Sequence, residues 1–475
     1  MLIEIIGAKI LTPYLGSSHF VWMSQILTTL IALSVGSFFS HKIKNNRYTL
    51  AEFKILLIPA VYILIANKFN REIVLSFLHL PLSAMSVISS IFLFFVPLSI
   101  ISFSYSLMVT KRIDKLGSNE YGKISAIGTV GSVFGACFFG YFLVELFSND
   151  EIFLMSSILL FICSFTPVFF ARQNYSYYYI YPITMIILNL THWGSLNPDR
   201  STLLLNKNSK FGELTAVDEG DKIVIYSNNL RQNSFFKKDK TSADLFTHAL
   251  TELSYKYTPV KSSALVIGAG LGFVSNDLLK IGFKNVKSIE INNDIFEMGR
   301  HFGLYDDNLE IEFYDGRYYL SKTKEMFDLI VVDAFVVDNS PSHLNTIEFF
   351  SILKSKLKSG GILVMNTFGF TEPAALITKS TIKTVSTVFR DTDVYSLNEG
   401  NVFFVSGDDL VISDKSTKLP IHDEVKNKLN LLLSNKKNVE LNEGIIFYDS
   451  SNKIDYLNSD LRETIRKSMA LKLKK

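Results

Sequence analysis

Cysteine is almost missing from this chain: its 475 residues include only Cys137 and Cys163, both inside apolar runs. That is too few for a disulfide framework or a cysteine-built zinc site, and no metal is expected. A surplus of charge of one sign is missing too. With a formal net charge of +3, the chain lacks the basic surface that grips nucleic acid, and no nucleic-acid partner is expected. The sharpest shortage is local. Phe20 to His41, Ile73 to Thr110, Ile124 to Val144 and Ile152 to Ala171 contain no Asp, Glu, Lys or Arg. The N-terminus also lacks the basic start and small-residue cleavage site of a signal peptide.

What fills those stretches is apolar. The composition is 48% hydrophobic with 39 Phe, and the excess lies before about residue 195. A helix needs roughly 20 apolar residues to cross a hydrocarbon core about 30 Å thick. The charge-free stretches meet that length, with Ile73 to Thr110 long enough for one tilted span plus a re-entrant piece. Leu56 to Asn67 joins its neighbours into another span, and Met1 to Leu15 reads as the tail of one. Residues 1–195 are therefore expected to form an α-helical transmembrane bundle, multi-pass in the cell membrane, with the lipid bilayer as partner. Lys42, Lys44, Arg47 and Lys54 cluster in one loop, and Lys111, Arg112, Lys115 and Lys123 in another. Both loops are expected on the cytoplasmic side. Tyr175 to Leu190 is read as interfacial or re-entrant, which keeps the following domain in the cytoplasm. No Asp or Glu lies deep in a span, which argues against ion-coupled transport.

After residue 195 the pattern changes. Residues 196–240 read as a small β-unit, with a turn at Glu219-Gly220. Residues 241–410 alternate strands and helices, and 411–475 form a C-terminal extension in which Lys415 to Lys437 reads as a solvated helix face. Ser263 to Ile267 is a strand followed by Gly268-Ala-Gly270-Leu-Gly272 and a helix. Later strands are expected over Val286 to Ile291, Leu309 to Tyr314, Phe327 to Val332 and Ile362 to Asn366, the last after a helix ended by Gly360-Gly361. This alternation implies a doubly wound parallel sheet, a Rossmann-like α/β domain that binds ligands at the carboxyl ends of its strands. Gly270, Glu290, Asp315 and Asp333 all fall there. The glycines allow close backbone approach, and an acid about twenty residues later suits ribose hydroxyls. A dinucleotide motif places its third glycine one residue later, where this chain has Phe273. The shorter loop fits an adenosylmethionine-type sulfonium, which needs no pyrophosphate cradle.

At these residues the chain resembles the spermidine synthase (polyamine aminopropyltransferase) family, and in particular its membrane-fused members. The likeness runs over about residues 208–370 and touches Glu4 to Gly16 near the start. It rests on Phe211-Gly-Glu…Leu230-Arg-Gln232, on Ile267-Gly-Ala-Gly-Leu-Gly272, on Tyr-Asp315-Gly and on Val-Val-Asp333-Ala-Phe. Asp338…Pro341-Ser-His343-Leu…Thr346-x-Glu348 resembles the membrane-fused branch. The resemblance implies a class I methyltransferase-type domain that uses decarboxylated S-adenosylmethionine, or S-adenosylmethionine itself, as co-substrate. It implies that Gly268, Gly270, Gly272, Glu290 and Asp315 hold the nucleoside, with Glu290 on the ribose and Asp315 on the adenine amino group. Asp333 is then the catalytic acid–base group, and Gln232, Asp244, His248 and Asp338 contact a small amine substrate such as putrescine. Two departures stand out. Soluble members carry an aspartate in the glycine loop where this chain has Leu271. Their Tyr-His-Glu motif is reduced to Thr247-His248-Ala249, with Asp244 one turn earlier. Three readings follow: an aminopropyltransferase, an adenosylmethionine-dependent methyl- or alkyltransferase, and a non-catalytic sensor that gates polyamine transport. A homo-oligomer is compatible with each.

Overall fold

The computed structural model describes residues 2–16, 19–41, 51–117, 121–138, 142–143, 146–147, 149–166, 176–190, 202–335, 341–451 and 453–458. The chain divides into two compact units between Ser201 and Thr202.

The first unit is helical. Its principal helices span Leu2–Leu15, His19–His41, Leu57–Ser76, Leu82–Ser90, Val96–Leu116, Tyr121–Phe138, Asn149–Ser164 and Ile180–Leu190. Among the described residues, Phe20–Ser40 (21 residues) and Leu82–Lys115 (34 residues) are long and apolar enough, by length and composition, to cross a membrane. The long apolar stretch after Ile73 is divided differently from the expectation. The chain breaks between Ser76 and Leu82, where Pro81 starts a new helix, and then runs on without a re-entrant turn. A π-helical segment, Ile91–Phe95, joins Leu82–Ser90 to Val96–Leu116. Pro97 lies just beyond it and has no N–H to return one π-turn to the carbonyl of Phe92. The Tyr62 hydroxyl donates to that carbonyl instead.

On one face of helix His19–His41, side-chain placement inverts that of a helix in water. Along His19–His41, Trp22, Met23, Ile26, Leu27, Leu30 and Ile31 are 41–58% exposed, while Ser24, Gln25, Thr28 and Thr29 are at most 3% exposed. The Ser90 hydroxyl donates to Gln25 Oε1 at 2.7 Å. Gly7 lets the Gln25 amide pack against the first helix, since a Cβ there would lie 2.5 Å from Nε2. A helix in water buries its apolar stripe and exposes its polar one.

The second unit opens with a four-stranded antiparallel meander: β1 (Leu203–Ser209), β2 (Gly212–Glu219), β3 (Lys222–Ser227) and β4 (Leu230–Phe236). The expected turn at Glu219-Gly220 is present, with Gly220 at φ +82°. The turn from β3 to β4 uses Asn228 and Asn229 at φ 46° and 63°, the left-handed pair that a tight hairpin requires.

The main sheet has eight strands in the order β12-β10-β11-β9-β8-β5-β6-β7. They are β5 (Ser263–Ile267), β6 (Asn285–Glu290), β7 (Glu310–Phe313), β8 (Phe327–Val332), β9 (Leu357–Phe368), β10 (Asp391–Tyr395), β11 (Asn401–Gly407) and β12 (Lys436–Lys437). The pairings that link β5 to β9 are parallel. Those made by β10, β11 and β12 are antiparallel, so the sheet is mixed rather than wholly parallel. All six β8 residues are buried, as a strand covered on both faces requires. Helix Ile347–Ser355 ends before the glycine pair that was expected to stop it. Gly360 (φ +73°) and Gly361 instead lie within the span of β9. In the C-terminal extension, helix Asp423–Leu433 buries Val425, Leu429 and Leu432 and exposes most of its other side chains.

Candidate active site

Strand order reverses at β5: β6 and β7 follow it on one side, and β8 lies on the other. The crevice above such a switch point is the ligand position of this sheet type. A cavity of about 610 Å³ opens there, lined by the glycine loop, the ends of β6, β7 and β8, and residues of β4 and β9.

Close approach of the β5 and β8 ends shapes its floor. Asp333 N–H donates to the Ile267 carbonyl at 2.9 Å, and Gly268 N–H donates to the Ile289 carbonyl at 2.8 Å. Gly268 has φ +91°, and a Cβ on it would lie 2.3 Å from the Asp333 carbonyl oxygen. Gly270, at φ +53°, presents its N–H to Glu290 Oε2 at 2.8 Å. Gly272 starts helix Phe273–Lys280 with φ +85°. It is not among the lining residues, whereas Gly268 and Gly270 are.

Each acid is held differently. Glu290 is buried and accepts Asn292 N–H on Oε1 at 2.9 Å, besides Gly270 on Oε2. Burial raises its pKa, and the backbone donors pull the other way. Asp315 caps helix Gly316–Lys322, accepting Tyr318 N–H on Oδ1 at 2.9 Å. Its Oδ2 lies 2.8 Å from His343 Nε2, and that bond does most to lower its pKa. Among the described residues, neither a cation nor a backbone N–H stands against the Asp333 carboxyl group. The side-chain bond it makes among these residues is from Asn366 Nδ2 to Oδ1, at 2.9 Å. Burial pushes its pKa up to about 7, opposed by that bond and reinforced by the nearby Glu290 charge.

The amine-site candidates diverge. Gln232 lies on the cavity wall. Asp244 lies there too, but its Oδ1 takes Arg231 Nη2 at 2.8 Å and the Ser234 hydroxyl at 2.9 Å, and its Oδ2 takes Ser234 N–H. His248 is 4% exposed and off the lining; its Nε2 is 2.9 Å from the Ser242 carbonyl. Asp338 lies outside the described residues. Leu271 lines the cavity yet is 1% exposed, packed with Leu214, Ile225, Phe235 and Phe273 in the cluster that joins the small sheet to the main domain. The residue at which the resemblance leads one to expect an aspartate is thus part of a core.

Sequence reasoning missed Asn366 as a functional side chain. It lines the cavity, and its Oδ1 is buried without a hydrogen-bond partner among the described residues. The signal was there, since Asn366 follows the apolar run Ile362–Met365 in the strand beside that of Asp333. Among the described residues no cluster of His, Cys, Asp or Glu could hold a metal ion. The arrangement can grip a ribose at Glu290 and a purine at Asp315, and can move a proton at Asp333.

A spermine/spermidine synthase domain matches residues 244–399. A polyamine aminopropyltransferase of Thermoplasma volcanium is 28% identical over 160 residues, covering 32% of this chain and 58% of that protein. The chain thus spans little more than half the length of that relative. Polyamine aminopropyltransferase 2 of Aquifex aeolicus is 23% identical over 387 residues, 75% of this chain and 74% of that one. Among solved structures, a probable spermidine synthase from Corynebacterium glutamicum aligns with 52% of this chain and 96% of its own, at 16% identity and a TM-score of 0.42.

Proposed function

We propose, on the premise that this chain belongs to the spermine/spermidine synthase family through residues 244–399, that it is a membrane-anchored aminopropyltransferase. It moves an aminopropyl group from decarboxylated S-adenosylmethionine to a small amine such as putrescine. The observation that carries this reading is Asp333, a buried carboxyl group at a strand end with its pKa pushed up to about 7. The amine nitrogen attacks the carbon beside the sulfonium, the carbon–sulfur bond breaks, and its electron pair leaves with methylthioadenosine. An alkylamine with a pKa of about 10.4 arrives protonated, so the protein must take a proton before attack. In this reading Asp333 accepts it, and Asn366 Oδ1, which has no hydrogen-bond partner among the described residues, orients the amine N–H. The sulfonium is already an activated leaving group, and alignment supplies the rest.

Anchoring is supported by the two long apolar helices and by the outward-facing Trp, Met, Ile and Leu of His19–His41. The basic loops put the enzymatic unit on the cytoplasmic side. Incubating alkali-washed membranes from cells that express the chain with decarboxylated donor and putrescine tests both parts. Methylthioadenosine is expected in the pellet; its absence there, or adenosylhomocysteine formed from intact adenosylmethionine, refutes the reading.

The acid limb of the pH profile follows from Asp333. The base must be ionised, so kcat/KM rises about tenfold per pH unit below a bend near pH 7 and levels off above it. A bend near pH 4 would remove Asp333 from that role.

Leu271 favours a second reading, in which intact adenosylmethionine is the donor. An aspartate there would add one charge-assisted contact to the donor ammonium, worth about 1.5–3 kcal/mol or ten- to a hundredfold in affinity. Both donors carry that ammonium and only the intact one carries a carboxylate, which the new acid would repel. Leu271→Asp is therefore expected to shift the affinity ratio toward the decarboxylated donor by about tenfold. Burying the new acid in the Leu214–Phe235–Phe273 cluster lowers the melting temperature. An unchanged ratio would place Leu271 away from the donor tail.

A further inference from the structure

The chain continues past the end of the family match at residue 399, and the continuation folds back onto the site. Phe447 is fully buried, its N–H donating to Thr384 Oγ1 at 3.1 Å and its carbonyl accepting Ile347 N–H at 2.9 Å. Ile445 N–H donates to Ser380 Oγ at 3.0 Å, and Lys383 Nζ to the Gly444 carbonyl at 2.7 Å. These bonds deliver Asp449 to Arg317, two residues beyond Asp315. Arg317 Nη1 donates to Asp449 Oδ1 at 2.7 Å, and Nη2 donates to Oδ2. This is the two-pronged pairing that fixes a guanidinium in plane. The Thr346 hydroxyl also donates to Asp449 Oδ1, at 2.8 Å.

The held Arg317 has a second task. Its Nη1 donates to the His343 carbonyl at 3.0 Å, which fixes the short turn Ser342–Leu344. His343 in turn holds Asp315. A carboxylate only accepts, so His343 Nε2 is the donor in the 2.8 Å bond to Asp315 Oδ2. With Oδ1 capped by Tyr318 N–H, the carboxylate is held at both ends while each oxygen keeps a further lone pair. Asp315 and His343 both line the cavity.

We propose that the segment around Asp449 is a positioning strap for the purine end of this cleft: through Arg317 it sets the His343 turn, and His343 sets the Asp315 carboxylate that selects a 6-amino purine. This rests on the adenosyl reading of the cleft. A 6-amino group donates to that carboxylate, whereas a 6-oxo group turns an acceptor toward it and is rejected. A carboxylate free to rotate would lose both the affinity and the discrimination. His343 and Asp449 act through Asp315 and are positioning residues.

Calorimetric titration of the full chain with methylthioadenosine and methylthioinosine tests it. His343→Ala is expected to weaken methylthioadenosine binding about tenfold and to shrink its preference over the 6-oxo compound by a similar factor. His343→Gln, which restores an N–H donor, recovers most of both. Asp449→Ala acts in the same direction by about threefold or more. A wild-type chain that binds neither nucleoside defeats the adenosyl reading itself. If wild type binds methylthioadenosine and both alanine variants keep its affinity and purine preference, the strap is overturned. It is equally overturned if Asp449→Ala lowers only the melting temperature.

Discussion

Asp333→Asn is expected to lower kcat by about 10²–10⁴ and, at the same time, to make the protein more stable above pH 7. Both effects come from one cause. Burial raises the Asp333 pKa to about 7 from the usual 3.8, so the native state binds this proton more tightly than the unfolded chain does. Between the two values the native chain holds a proton that the unfolded chain has lost. Stability therefore falls as pH rises through that window, by up to about 4 kcal/mol in all. Asn removes the charge while its Oδ1 still accepts from Asn366 Nδ2, the bond Asp333 makes at 2.9 Å. The variant and the wild type should melt together near pH 4, where both carry a neutral group, and separate progressively toward pH 8. Thermal melts of the purified chain at the two pH values check this. A variant that is less stable at pH 8 would mean that Asp333 has a stabilising partner.

Gly268→Ala is the second large effect, and it acts on the fold of the site. A Cβ at this position would sit 2.3 Å from a backbone oxygen, that of Asp333, at a residue with φ +91°. The obstacle is backbone and cannot rotate away, so the β5 and β8 ends must separate. We expect a loss of about 2–5 kcal/mol in stability, from backbone strain plus overpacking. Binding of any adenosyl ligand should go with it, because the floor of the cavity moves. Gly282→Ala is the matched control. Its φ is +103° with nothing within 4 Å of the added Cβ, so it carries the conformational penalty alone, about 1–2 kcal/mol, and leaves binding intact. Equal losses in the two variants would show that the β5–β8 approach does not shape the site.

The contrast between these residues explains what the sequence revealed. Gly268 and Asp333 each follow an apolar run, Glu290 and Asp315 close short strands of mixed composition, and strand tips on one edge of a parallel sheet converge. Local pattern plus sheet topology is enough to find them. Partnerships across the fold leave no such mark. Asp244 reads as a free acid one helical turn before His248, but the β4–α connection brings Arg231 and Ser234 to it. Asp315 reads as a bare adenine contact, and only the return of the chain 28 residues later shows His343 upon it. Leu271 looks like a missing charge until the small sheet is seen to need it as core.

The antiparallel edge was hidden for another reason. β10 reads Asp391-Thr-Asp-Val-Tyr395, with too few apolar residues to mark a buried strand, yet it pairs with β11 over five positions. The Asp449 strap has no periodicity at all, since backbone and side-chain bonds to two helices hold it in place. In the helical unit the absence of charge was informative and the division of spans was not. Pro81 and the π-segment before Pro97 decided where one helix ended and the next ran on.

Titrating the purified full chain with decarboxylated and intact S-adenosylmethionine in parallel probes the central assignment most directly. Tighter binding of the decarboxylated sulfonium, despite Leu271 in the glycine loop, is the predicted result. A clear preference for the carboxylated sulfonium, or heat from neither, would contradict it.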